Sequence, residues 1–289
     1  VITINERKDE RRDVLRLENL TIKFGGLTAV DSFNGYLKEG ELIGLIGPNG
    51  AGKTTIFNMI TGIYAPTYGS IIFNGLNITG MKPYVITHLG IARTFQNIRL
   101  FSEMTVLENV LVAEHSWLQN YKARKILYKQ DPKNFSKPRW KPWFWSAVLK
   151  TPDYLKMERQ MKEYAYDLLK AVGLDKFAHL KASALPYGPQ RKLEIARALA
   201  TKPSLLLLDE PAAGMNPQET QELAEFVQDV RKKFSVTILL IEHDMKFVMK
   251  ICERIYVLDY GKIIAHGVPE EIQNNKKVIE AYLGDESYV

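Results

Sequence analysis

The sequence contains one cysteine, Cys252, in 289 residues. A single cysteine excludes an internal disulfide and suits a reducing compartment. Cys252 precedes the apolar run Ile255–Leu258, which marks it as a small, partly buried residue. Long apolar runs are also missing. A membrane-crossing helix needs about 18–20 apolar residues in succession, and the longest runs, Leu205–Leu208 and Val236–Ile241, are strand-sized. No secretory signal is expected, because Glu6–Asp13 is dominated by charge. Internal repeats are absent. What remains, 46% hydrophobic and 25% charged residues, is the composition of a soluble globular chain with ample core.

The net charge of +6 is unevenly placed. Residues 121–162 hold twelve Lys/Arg against three Asp/Glu, so the remainder of the chain is slightly acidic. One insert is basic, not the whole fold. This segment, about 117–150, also holds all four tryptophans: Trp117, Trp140, Trp143 and Trp145. Its plainest reading is an elaborated surface loop. Basic, Trp-rich chain also suits an anionic membrane surface, whereas nucleic acid is not an expected partner.

The stretch Gly47-Pro48-Asn49-Gly50-Ala51-Gly52-Lys53-Thr54-Thr55 matches the phosphate-binding loop pattern. Leu42–Ile46 before it reads as a buried strand, and the residues from Thr55 as a helix start. In that setting the glycines let backbone N–H groups wrap around phosphate oxygens at a helix N-terminus. Lys53 would reach the β- and γ-phosphates, and the Thr54 hydroxyl would bind Mg²⁺. A second signature follows: the apolar strand Leu205–Leu208 ends in Asp209-Glu210. Ligands gather at the C-terminal ends of strands in open α/β sheets. Asp209 is placed there to hold Mg²⁺ opposite Thr54, and Glu210 to polarise an attacking water.

Around these motifs, strands are expected at Leu15–Ile22, Ala29–Leu37, Tyr68–Gly75, Val236–Ile241, Arg254–Leu258 and Lys262–His266. Helices are expected at Ile56–Thr61, Thr105–Glu114, Met157–Val172, Pro189–Ala200, Glu219–Phe234, from about Met245, and as a single short helix over Pro269–Tyr282. Alternating strands and helices argue for a parallel sheet with helices on both faces. The β-rich opening forms a separate antiparallel subdomain, and about 97–180 a mainly helical lobe.

Leu185-Pro186-Tyr187-Gly188-Pro189-Gln190 and the helical run after it resemble the signature segment of ATP-binding cassette (ABC) ATPases, just ahead of the Asp209 strand as in that family. The other landmarks follow in order. Phe24 occupies the position of the aromatic that stacks on adenine. Gln96 matches the Q-loop glutamine, Ala213–Pro217 the D-loop, and His243 the switch histidine. More narrowly, Phe24–Val30, Arg93-Thr94-Phe95-Gln96, Glu210–Pro217, Ile241–Met245 and Ala281–Gly284 are similar to the LivG-type ATP-binding subunit of branched-chain amino acid importers. The lipopolysaccharide-export ATPase, a rival, lacks the Arg-Thr-Phe-Gln stretch and the long insert. A soluble ABC switch is a second rival, but such proteins carry two cassettes or a long coiled coil. A nucleotide sensor without turnover is a third, and Glu210 and His243 argue against it.

The resemblance implies a P-loop NTPase fold with a RecA-like parallel-sheet core, an antiparallel β-subdomain and a helical subdomain. In those terms, 1–13 is an N-terminal extension, 14–268 the ATPase domain and 269–289 a C-terminal helix and tail. It implies ATP hydrolysis with Mg²⁺, in a site split between two subunits. Gln96 joins Thr54 and Asp209 at the metal, His243 contacts the γ-phosphate, and residues 185–190 close a partner's site. The implied partners are transmembrane permease subunits, a second ATP-binding subunit (paralogue or second copy) and, indirectly, a periplasmic binding protein. The implied location is the cytoplasmic face of the bacterial inner membrane. Two departures stand out: the family usually has Ser at Pro186 and Gln at Pro189. Pro186 offers no hydroxyl, and Pro189 is expected at the first helical position, where it removes one anion-binding amide. This chain's signature is therefore expected to be the weaker half-site.

Overall fold

The computed structural model describes residues 11–118, 128 and 151–283. The basic insert therefore lies outside the described residues, apart from its first two positions and Tyr128.

Ten strands form two sheets among these residues. β1 (Asp13–Phe24), β2 (Leu27–Lys38), β4 (Tyr68–Phe73) and β5 (Leu76–Asn77) make an antiparallel sheet in the order β2-β1-β4-β5. The second sheet runs β10 (Lys262–Gly267), β9 (Arg254–Asp259), β3 (Leu42–Ile46), β8 (Thr237–Ile241), β7 (Leu205–Asp209), β6 (Ile91–Arg93). All its pairings are parallel except β9–β10.

β3, β7 and β8 are apolar apart from Thr237 at the start of β8 and Asp209 at the end of β7, because both their faces are buried. Successive residues point to opposite faces. Leu206, Leu208, Ile238 and Leu240 enter one core with helices α5 (Tyr187–Leu199), α6 (Pro217–Phe234) and α7 (Met245–Ile251). Leu205, Leu207, Leu239 and Ile241 enter a second core with β1, β2, β4 and α1 (Lys53–Ile60). Helices thus line one face of the large sheet. On the other, where helices are expected, the antiparallel sheet shares the cover with α1 and α2 (Pro83–Leu89). Cys252 is buried on the helical face, its sulfur 3.2 Å from where a Cβ on Gly44 would lie. Burial pushes its thiol pKa up, which keeps it inert.

Helix boundaries follow their caps. Asn216 accepts hydrogen bonds from the N–H groups of Gln218 and Glu219, and Glu219 reaches back to the Asn216 N–H. This capping box starts α6 at Pro217, two residues before the expected Glu219. The expected C-terminal helix is two, α8 (Pro269–Gln273) and α9 (Lys276–Leu283), which lodge Ile272 and Val278 in the first core.

The helical lobe is built on α3 (Val106–Leu118) and α4 (Pro152–Ala171). Glu114 on α3 is buried there, and among the described residues its Oε2 has no hydrogen-bond partner. Burial, only partly offset by Lys202, pushes its carboxyl up to about 7. A raised carboxyl pKa means ionisation opposes folding. The penalty is absent below the unfolded value near 4.5, grows with pH, and is complete above about 7. Glu114→Gln is therefore expected to gain about 2 kcal/mol more stability over the parent at pH 8 than at pH 5.5. Paired denaturant melts at the two pH values check this, and an equal gain at both would contradict the assignment.

Candidate functional site

The loop between β3 and α1 is shaped by what crowds it. Gly47 has φ 148°, and a Cβ there would lie 2.1 Å from the Leu258 carbonyl oxygen. Gly52, at φ 104°, would place one 2.7 Å from the Ala29 carbonyl oxygen. Neither position admits a side chain. The β9–β10 turn braces the loop from behind: the Gly261 N–H donates to the Ala51 carbonyl (3.0 Å), and the Asp31 N–H to the Gly261 carbonyl (2.9 Å). Gly50, by contrast, faces open space. α1 begins at Lys53, two residues earlier than Thr55. Its first-turn N–H groups therefore point into the loop. The Lys53 ammonium is buried and donates to the Gly47 (2.6 Å) and Pro48 (2.9 Å) carbonyls. Thr54 and Asn49 are exposed, and Pro48 and Ala51 are buried.

Strand order brings the acidic pair to the same end of the sheet, since β8 alone separates β7 from β3. Asp209 closes β7 with its side chain 7% exposed, and Arg93 pairs with its Oδ2 at 2.6 Å. Glu210 turns the chain out of the strand at φ 44°, with its N–H donating to the Ile241 carbonyl at 2.9 Å. Its carboxylate accepts from the Gln96 side-chain amide at 2.6 Å, and His243 Nδ1 lies 3.6 Å from the same oxygen. Gln96, Glu210 and His243 thus form one cluster. Gln96 was expected beside Asp209 at the metal. Its amide engages Glu210, the residue that follows Asp209.

The set suits Mg²⁺ by its chemistry. Among the described residues no three His, Cys, Asp or Glu side chains converge as a metal cage. The donors on hand are hard oxygens: the Thr54 hydroxyl, the Asp209 carboxylate and the Gln96 amide. Magnesium is commonly held by one or two such groups, together with substrate phosphates and water.

Phe24, at the β1–β2 turn, is 45% exposed and meets Tyr64 edge-on with ring centroids 5.3 Å apart. The signature segment sits at the start of α5. Pro186 is its N-cap, with no side-chain hydrogen bond, and Pro189 is the third helical residue. This corrects the expectation of the first position. The helix reaches back to Tyr187 because Gln190 N–H bonds the Pro186 carbonyl (3.0 Å) and the Gln190 amide bonds the Leu185 carbonyl (2.7 Å). Gly188 is open to approach. The Tyr187 hydroxyl donates to the Ala213 carbonyl at 2.8 Å, tying the signature to the D-loop.

Several contributors escaped the sequence reading. Arg191 is wholly buried and donates to the Phe95 (2.8 Å) and Gln96 (2.7 Å) carbonyls and to Glu194 (2.7 Å). Glu242, also buried, accepts from the N–H of Ala212 (2.7 Å) and of His243 (3.1 Å). Burial raises its carboxyl pKa, against the pull of those two bonds. Glu242, a charge directly after the apolar strand β8, was the one available signal; Arg191 sits in a charge-rich helix, and its partners Phe95 and Gln96 lie about 95 residues away. A separate cleft of about 600 Å³, lined by Asp13, Arg16, Tyr36, Lys38, Tyr256 and His266 among others, contains none of these residues.

No helix among the described residues is long and apolar enough to cross a membrane. Comparison with known proteins agrees with this geometry. The family model described as ABC transporter matches residues 30–213, and that of the branched-chain amino acid ATP-binding cassette transporter matches 262–288. The chain is 46% identical over 272 residues to the high-affinity branched-chain amino acid transport ATP-binding protein LivG of Salmonella typhimurium, covering 94% of this chain and 98% of the relative. It is 45% identical over 274 residues to BraF of Pseudomonas aeruginosa, covering 95% and 99%. Among solved structures, the ADP conformation of an ATP-binding cassette of an ABC transporter is similar at TM-score 0.76 and 31% identity, covering 95% of this chain and all of that one. A nucleotide-free ATP-binding cassette gives 0.75 and 32%, with the same coverage. The chain belongs to the ATP-binding cassette transporter family.

Proposed function

We propose that this chain is the ATP-hydrolysing subunit of an importer for branched-chain or closely related amino acids. The observation that carries the hydrolytic part is the Glu210 carboxylate, held between the Gln96 amide and the His243 ring at the exit of β7. The transported class is inferred from the similarity to LivG and BraF and from the match at 262–288.

In this reading, Gly47–Thr55 cradles the phosphates, and the Lys53 ammonium moves from the loop carbonyls to the β- and γ-phosphate oxygens. Phe24 stacks on the adenine. Thr54, Asp209 and Gln96 would hold Mg²⁺, which when bound neutralises charge on the phosphates. Glu210 orients the attacking water and accepts its proton, while His243 contacts the γ-phosphate and positions that water. Residues 185–190 serve a second ATP-binding subunit, either a paralogue or another copy, and that subunit's signature closes over this loop. Permease subunits provide the solute path and receive the motion through Gln96 and the helical lobe. A periplasmic binding protein delivers the solute, and the chain works at the cytoplasmic face of the inner membrane. The domain limits 14–268 and 269–289 belong to the same reading.

Co-expression with the permease subunits and the second ATPase, followed by leucine uptake into proteoliposomes, tests this. ATP-driven uptake that needs all components supports it. ATP hydrolysis with no uptake of any branched-chain amino acid would sink the solute assignment.

The weak-signature idea gives a separate prediction. A Ser at 186 would supply the missing cap and hydroxyl, and Gln at 189 would restore an amide donor in the first turn. A hydrogen bond to a charged group is worth about 1.5–3 kcal/mol. Pro186→Ser/Pro189→Gln is therefore expected to raise ATP turnover of the assembled complex roughly tenfold, the low end of that range. Unchanged turnover would show that this half-site does not limit closure.

A further inference from the structure

The Arg-Thr-Phe-Gln stretch sets this chain apart, yet the mechanism above uses only its glutamine. Arg93 ends β6, alongside the strand that carries Asp209. Its side chain is 7% exposed. Besides Asp209 Oδ2, the guanidinium donates to Asn58 Oδ1 on α1 at 2.7 Å. It also lies against two rings, Phe57 at 5.4 Å and Phe95 at 5.1 Å. Asn58 and the rings hold the charge in place independently of Asp209. Arginine cannot give up its proton in a protein, so this positive charge is permanent.

We propose that Arg93 is a resident counter-cation for Asp209, a positioning residue that lets the phosphate pocket accept nucleotide with little dependence on magnesium. The proposal rests on the ATPase reading above. Without Arg93, a buried carboxylate would face the incoming phosphates unpaired, and, Lys53 being engaged by the phosphates themselves, a bound divalent cation would be the main charge left to offset it. An opposing effect is loss of Asp209's orientation, which would weaken magnesium binding. The Coulomb effect is the larger, because the backbone of Asp209 is fixed without Arg93. It pairs with Ile241 in the β7–β8 register, and the next N–H bonds the Ile241 carbonyl. Oδ2 is the only Asp209 oxygen that Arg93 engages.

The test measures affinity for a fluorescent ATP analogue in excess EDTA and in saturating magnesium, on the full chain, and takes the ratio. Arg93→Gln is expected to enlarge the magnesium-to-EDTA affinity ratio about tenfold, chiefly by weakening binding in EDTA. Arg93→Lys keeps the charge and is expected to stay within about threefold of the parent. Asn58→Asp leaves Arg93 in place but gives it a second carboxylate to neutralise. It is expected to shift the ratio in the same direction, and it keeps the question answerable if Arg93→Gln does not fold. A ratio that is unchanged or smaller in both Arg93→Gln and Asn58→Asp would overturn the proposal, as would Arg93→Lys matching Arg93→Gln. If the parent binds the analogue in neither buffer, the ATPase reading itself fails. Normal parental binding with an invariant ratio sinks only the counter-cation.

Discussion

Glu210→Gln is expected to slow phosphate release about 10²–10³-fold while leaving ATP affinity within about twofold. The substitution keeps size and shape but removes the proton acceptor. Glu210 Oε2 is the oxygen that both Gln96 and His243 address, at 2.6 and 3.6 Å. A Gln side chain can still accept from Gln96, so the cluster is expected to keep its arrangement. With cleavage blocked and binding intact, ATP remains in the interface between two subunits, and the variant is expected to accumulate as an ATP-bound dimer. Size-exclusion chromatography with bound-nucleotide analysis, alongside single-turnover phosphate release, reads both effects. Phosphate release at the parental rate would remove Glu210 from the role of base. His243 is 46% exposed; its backbone N–H is anchored to Glu242, while its ring lies 3.6 Å from Glu210. Its ring can therefore move when the γ-phosphate arrives, whereas the Glu210 backbone is held by the Ile241 carbonyl and its carboxylate by the Gln96 amide.

Much of this was legible in the sequence, and the reasons are physical. β3, β7 and β8 are built on apolar runs because they are buried on both faces, so Leu42–Ile46, Leu205–Leu208 and Ile238–Ile241 alone declare them central. The phosphate loop is legible because its glycines answer to local crowding, as at Gly47 and Gly52. Elements too short to show a period were missed. β6 has three residues, and α2 starts behind Lys82 with no capping side chain. The C-terminal helix read as one because its apolar spacing continues across the break at Asn274. Arg93 and Glu242 were missed for another reason. Each acts through a partner on a distant strand or loop, and no local pattern records a pairing such as Arg93 with Asp209, 116 residues apart. The fold follows from periodicity, whereas the electrostatics of the site depend on tertiary contacts.

Arg191 shows how far those contacts reach, and it carries the second large effect. Its guanidinium is fully buried, and its two terminal nitrogens donate to Glu194 and to two carbonyls of the glutamine loop. Glu194 in turn faces the N–H groups of Phe95 (3.4 Å) and Arg99 (3.3 Å). Arg191→Met would leave the Glu194 charge buried without its partner, a loss of about 3–5 kcal/mol. Removing both charges, as Arg191→Met/Glu194→Leu, restores an apolar interior of similar volume and is expected to recover most of that stability. Turnover is expected to behave differently. Neither variant holds the Phe95 and Gln96 carbonyls, so the Gln96 amide is no longer fixed on Glu210. The double variant is therefore expected to melt close to the parent yet hydrolyse ATP about tenfold more slowly. Denaturant melts and ATPase assays on the same three proteins decide the point. If turnover recovers together with stability, Arg191 serves the fold alone. If stability recovers and turnover does not, the signature helix sets the glutamine loop of its own subunit while it closes the site of the other. The two ATP sites would then be linked through one buried side chain.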